Sequence, residues 1–168
     1  MKNPITILII ILAFLSCKQN TRENVIGEVE VEKEVGKAQV DPDSIAKDLK
    51  DKGYEIFNYK DEALDTTFIM QQYYIVFLKA GTVKSENKEE GDSIMKLHLK
   101  HLSRMYEEGY ASVSGPFGDD GEIRGITIYN TPTLKKADSL AQMDPMVTSG
   151  RLIVETHPWW AAKGMPLR

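Results

Sequence analysis

The apolar positions of this chain fall into two rhythms. Thr66 to Lys79 (TTFIMQQYYIVFLK) is rich in β-branched and aromatic residues, and Tyr73 to Leu78 is apolar without a break. Such a run predicts a central strand buried on both faces. From Ile94 onward the period lengthens. Ile94, Leu97, His98, His101, Leu102, Met105 and Tyr106 recur at helical spacing, while Lys96, Lys100, Ser103, Arg104 and Glu107 face away. This predicts a long amphipathic helix that opens in the acidic stretch Glu86 to Asp92 and ends at Glu108, with Gly109 as the stop. Tyr110 to Pro116 and Ile123 to Asn130 then read as two strands joined through the turn Gly118-Asp119-Asp120-Gly121. A second helix is predicted over Leu134 to Met143, with Ala137, Leu140 and Ala141 inward. Asp144-Pro145 is expected to end it. Ser149-Gly150 turns into a last strand, Arg151 to His157, followed by Pro158-Trp159-Trp160 and a short polar tail.

From Tyr73 the order is strand, helix, two hairpin strands, helix, strand. This is the βαββαβ pattern of the ferredoxin-like α+β class, one antiparallel sheet covered on one face by two helices. The other face needs a cover: a second copy of the chain is the expected one, and the extra N-terminal helix and strand are another. Before the domain, Asp41 to Lys52 reads as a capped helix stopped by Gly53, Tyr54 to Tyr59 as a strand and Lys60 to Asp65 as a turn. The expected layout is an extension over 41–70 packed on a domain over 71–168.

Composition changes the picture mainly at the N-terminus. A net charge of −4 without a dense Lys/Arg cluster argues against nucleic-acid binding. Ile5 to Leu15 is an apolar run behind Lys2, too short to span a bilayer, which takes about 20 residues, but suited to the core of a secretory signal. It runs into Ser16-Cys17, and Cys17 is the sole cysteine. A small residue then cysteine at that place resembles a bacterial lipobox. The resemblance implies a signal peptide over 1–16, cleavage before Cys17, and lipid on its thiol and new amine. With no aspartate after Cys17, it also leans to the outer membrane. Residues 17–40 include Glu28-Val-Glu-Val-Glu-Lys-Glu-Val and read as a solvated tether, or as a weakly formed strand. The domain is then expected in the cell envelope, in the periplasm or outside.

The candidate chemistry sits on the long helix. His98 and His101 are two of three histidines, three positions apart and therefore on one face. Imidazole changes charge near neutral pH, so either ring can serve as acid or base. The same positions also suit core histidines satisfied by a backbone carbonyl. His98, His101 and the distant His157 form a poor metal set, and none is expected. No cofactor is expected. Ser114 and Gly115-Pro116 lie on the strand after the helix. A hydroxyl there can face a pocket, and glycine lets backbone approach a ligand closely. Asp144 before Pro145 reads by itself as a turn residue. Trp159 and Trp160 read as pocket wall, surface anchor or, by preference, subunit contact.

Four pieces together carry a resemblance: His98-Leu99, Gly109, Gly115-Pro116, and Asp144-Pro145 with Gly150. In this order and spacing the chain resembles the YCII-related (YciI-like) family, from about Gln71 to Trp159. The resemblance implies a dimeric α/β barrel in which His98 and Asp144 meet at the sheet. It also implies a small-molecule pocket with acid–base chemistry of an isomerase- or dehydrochlorinase-like kind. His98, not His101, has the family's distance to the helix-ending glycine. The candidate catalytic pair is therefore His98 and Asp144, with His101, Ser114, Gly115 and Pro116 as candidate substrate contacts. The alternative is a non-catalytic ligand-binding or protein-interaction module of the envelope.

Overall fold

The computed structural model describes residues 41–84 and 87–167. The apolar run over 5–15 expected to be a signal, Cys17 and the alternating stretch over 28–35 lie outside the described residues. No helix among the described residues is long and apolar enough to cross a membrane.

The extension forms α1 (Pro42–Asp51) and β1 (Ile56–Asp61). The Asp41 carboxylate accepts the Asp43 amide at the start of α1, with proline in the first turn. β1 turns back into β2 (Thr66–Ala80), with Asp61 opposite Thr66 and Ile56 opposite Gln71. The strand reaches Asp61, so the turn is shorter than the expected Lys60 to Asp65. The Asp61 side chain accepts the amides of Ala63 and Leu64, and Asp65 takes a positive φ of 43° to close the loop.

The domain continues with α2 (Lys88–Glu107), β3 (Ala111–Pro116), β4 (Ile123–Tyr129), α3 (Leu134–Gln142), α4 (Pro145–Thr148) and β5 (Leu152–Ala162). β2 is the axis of the sheet. β5 runs antiparallel along one of its edges from Met70 to Ala80. The other edge is shared by β1, up to Gln71, and β4, from Tyr74. β3 lies outside β4. The order β5-β2-β4-β3, antiparallel throughout, is that of the ferredoxin-like α+β fold.

The strand period of two separates the faces of β2. Tyr74, Val76 and Leu78 point into the main core with Tyr129, Ala111 and Leu152 from neighbouring strands, and Met105, Ala137, Leu140 and Ala141 from the helices. Tyr73, Ile75 and Phe77 point the other way, with Ile126 and Ile128 of β4. Only Tyr73 of these is buried. Within one chain, β2 is therefore not closed on both faces, contrary to its unbroken apolar run. α1 covers one end of this second face, sharing a cleft with Ile56 and Asn58, whose sheet partners are Gln71 and Ile69. Leu49, Ile69 and Tyr73 are buried there, apart from the main core.

Three further expectations are corrected. Leu97 and Tyr106 are exposed; α2 buries the narrower line His98, His101 and Met105. Pro145 does not simply end the preceding helix but starts the one-turn α4, because proline fits a first helical position, where no amide bond is needed. β5 runs on to Ala162 and takes in Pro158, Trp159 and Trp160. Pro158 lacks an amide hydrogen, which is tolerable on an edge strand such as β5, bordered only by β2.

Candidate functional site

α2 is the platform of the site. Its first turn is held by the Asn87 side chain, which accepts from the amides of Glu89 and Glu90. It ends in a Schellman arrangement. Gly109 adopts φ +76°, its amide donates to Tyr106, and the Tyr110 amide donates to Met105. A side chain at Gly109 would be strained by that φ. His98 and His101 face inward from the middle of this helix, only 8% and 5% exposed.

α4 brings the carboxylate. Asp144 is 2% exposed and caps α4: its Oδ1 accepts the Met146 amide at 2.9 Å, and its carbonyl accepts from Val147 and Thr148. The other oxygen, Oδ2, lies 2.7 Å from Nδ1 of His98. A cap and a histidine partner thus coexist in one side chain, one oxygen for each. A carboxylate can only accept, so His98 carries a hydrogen on Nδ1, and in the neutral ring Nε2 then holds the lone pair. Such an arrangement can serve as a positioned base, with the carboxylate orienting the ring.

The loop that carries Asp144 is braced from below. After α4 the Gly150 amide donates to Val147 and the Arg151 amide to Met146, with Gly150 at φ +73°. Gly81, at the exit of β2, donates its amide to the Arg151 carbonyl at 2.8 Å. A Cβ built on Gly81 would fall 2.1 Å from the Gly150 carbonyl oxygen, so only glycine fits. Sequence reasoning missed Gly81, because its constraint comes from backbone about seventy residues away and leaves no local pattern.

His101 is placed differently from His98. Its Nδ1 lies 3.4 Å from an Arg104 guanidinium nitrogen, and its Nε2 is buried without a well-formed hydrogen bond. Burial holds its pKa below the ordinary histidine value. Arg104 and His98 act in the same direction, while Asp144 and the Leu140 backbone oppose them. Tyr129, fully buried in the core, is held well above the ordinary tyrosine value, first by burial and then by the Asp144 charge.

The strand candidates make no hydrogen bond to the pair. The Ser114 hydroxyl bonds the Thr127 hydroxyl at 3.0 Å. Gly115 has open space where a Cβ would stand, whereas one on Gly125, across the ladder, would come within 2.7 Å of the Gly115 carbonyl oxygen. The close approach of β3 and β4 therefore demands glycine at 125, not at 115. Pro116 pairs with Gly125. His157 lies on the second sheet face with its Nε2 2.7 Å from Glu155, whose other oxygen lies 3.2 Å from Lys79. No group of three His, Cys, Asp or Glu side chains suited to a metal occurs among the described residues.

Fold and site together define a ferredoxin-like α+β domain with a buried His–Asp pair between its first helix and the turn before its last strand. The family comparison places the chain accordingly: the YCII-related domain matches residues 73–159, slightly over half of it. The chain belongs to the YCII-related family. Comparison with curated proteins finds no match. Among solved structures, it is similar to 5-chloro-2-hydroxyhydroquinone dehydrochlorinase of Burkholderia phenoliruptrix AC1100, in complex with 2,5-dihydroxybenzoquinone. That similarity has 15% identity and a TM-score of 0.41, over 52% of this chain and 92% of that one.

Proposed function

We propose that this YCII-related domain binds a small organic molecule and carries out acid–base chemistry on it, of the isomerase or lyase kind, with His98 moving the proton and Asp144 orienting the ring. The observation that supports this reading is the 2.7 Å contact from His98 Nδ1 to Asp144 Oδ2, which leaves Nε2 free for a substrate proton. His101, Ser114, Gly115 and Pro116 are the proposed substrate contacts. The test is a small-molecule binding and turnover screen on wild type beside His98→Ala. A ligand whose turnover survives His98→Ala undiminished would remove the catalytic role.

A second reading rests on the clefts. Two surface clefts, of about 440 and 500 Å³, are lined by α1 and its neighbours and by neither His98 nor Asp144. A non-catalytic binding or interaction module would use these instead. Ligands that protect α1 but leave the His98 ring resonances unmoved would favour it.

The proposal extends to assembly and place. The partly buried apolar face of Ile75, Phe77, Ile126 and Ile128 suits a homodimer closed sheet to sheet. Cys17 is proposed to carry lipid and hold the domain on a bacterial membrane in the envelope, the outer membrane by preference. Cys17→Ser would then move the protein from the membrane to the soluble fraction; unchanged fractionation would rule out the anchor.

A further inference from the structure

We propose that Arg104 is a positioning residue of the site: it holds His101 as the uncharged tautomer with hydrogen on Nε2, so that the Asp144 carboxylate serves His98 alone. The inference rests on the reading of His98 and Asp144 as the working pair. A guanidinium is a donor only, so a ring nitrogen 3.4 Å from it must accept. That fixes the His101 lone pair on Nδ1 and its hydrogen on Nε2. Protonating His101 would place a second donor, and a second positive charge, against the guanidinium.

The other groups around this ring come from three elements. His98 lies one turn earlier on α2 and opposes a second cation. Asp144, at the start of α4, attracts one. α3 contributes the Leu140 backbone, which also favours the charged ring. Arg104 belongs to the opposing side of this balance and is the one member that reaches solvent, with a side chain 46% exposed and its Nε at 4.0 Å from Glu108. A charged His101 would draw on the Asp144 carboxylate and repel a protonated His98. The ring therefore sets an acid limit on the pair; burial is the first thing that lowers it, and Arg104 lowers it further.

The experiment is a histidine-ring NMR titration of the full chain in wild type, Arg104→Lys, Arg104→Gln and Arg104→Glu. Ring nitrogen shifts report tautomer and charge directly and need no substrate. Wild type and Arg104→Lys are expected to keep hydrogen on His101 Nε2 and to charge the ring only in acid. Arg104→Glu is expected to raise the His101 midpoint by about one unit, a tenfold rise in proton affinity. Arg104→Gln should give a smaller rise of the same sign, and it carries the test should Arg104→Glu fail to fold. Hydrogen on His101 Nδ1 in wild type, or a midpoint unmoved in the variants, would overturn the proposal. Failure of the acid–base reading would show elsewhere, as turnover surviving His98→Ala with the His101 titration still obeying Arg104.

Discussion

Asp144 reaches His98 across 46 residues with one carboxylate oxygen while the other caps its own helix. The two duties can be separated by substitution. In Asp144→Asn the side-chain oxygen can still accept the Met146 amide, but the amide nitrogen then faces His98 and can only donate. His98 must accept at Nδ1 and carry its hydrogen on Nε2. The expected outcome is a protein within about 1 kcal/mol of wild type whose His98 tautomer is inverted. Asp144→Ala loses the cap and orphans a buried imidazole, at a cost of about 2–4 kcal/mol. Urea unfolding with ring nitrogen NMR checks both; an unchanged tautomer in Asp144→Asn would remove the assignment of Nδ1 as donor.

His101 makes stability depend on pH with a definite sign. Burial keeps its folded pKa below the ordinary value of 6.5. Between those two values the unfolded chain binds a proton that the folded chain refuses. Stability is therefore complete above about 6.5, falls as pH drops through the window, and stops falling below the depressed folded value. Urea unfolding at a series of pH values should show this slope in wild type. His101→Leu should flatten the His101 part of it, and an identical slope in the variant would count against the buried neutral ring.

The order of elements was legible because alternation in β4 and helical spacing in α3 are local properties of the chain. What was missed depended on distant partners. Nothing within Leu97 or Tyr106 tells that α2 buries a narrow line rather than a broad stripe; the width is set by what packs opposite. Pro145 carries the same local signal whether it stops one helix or starts the next. Pro158 argues against a strand until β5 is known to be an edge. For Asp144 the residues alone gave a turn cap, and that cap is present; its contact with His98 was reached only through the family resemblance.

Two glycines predict opposite outcomes. Gly81→Ala places a carbon against the Gly150 carbonyl, where backbone must yield, and is expected to cost about 1–3 kcal/mol while loosening the loop that carries Asp144. Gly115→Ala enters open space and should leave stability within about 0.5–1 kcal/mol. Thermal and urea unfolding measure both. If a ligand is in hand, loss of its binding in Gly115→Ala with stability kept would support Gly115 as a substrate contact; unchanged binding would leave the residue to the sheet alone.

The second sheet face makes the dimer testable without a ligand. Its aliphatic residues on β2 and β4 are half-buried, and Trp159 on β5 is 42% exposed against Tyr73. A monomer would leave this band in water, while a second copy laid sheet to sheet would remove it. Light scattering of residues 17–168 is expected to give twice the monomer mass. Ile128→Glu would set a carboxylate on each copy into the shared face. It should yield a monomer of near-native circular dichroism, because Ile128 points away from the core that α2 and α3 close. A wild type that stays monomeric at high concentration would end the dimer reading. An Ile128→Glu protein that remains dimeric would move the contact to another surface. Because β5 also carries Glu155 and His157 on this face, with Lys79 against Glu155, a true sheet-to-sheet contact should in addition weaken or strengthen with salt.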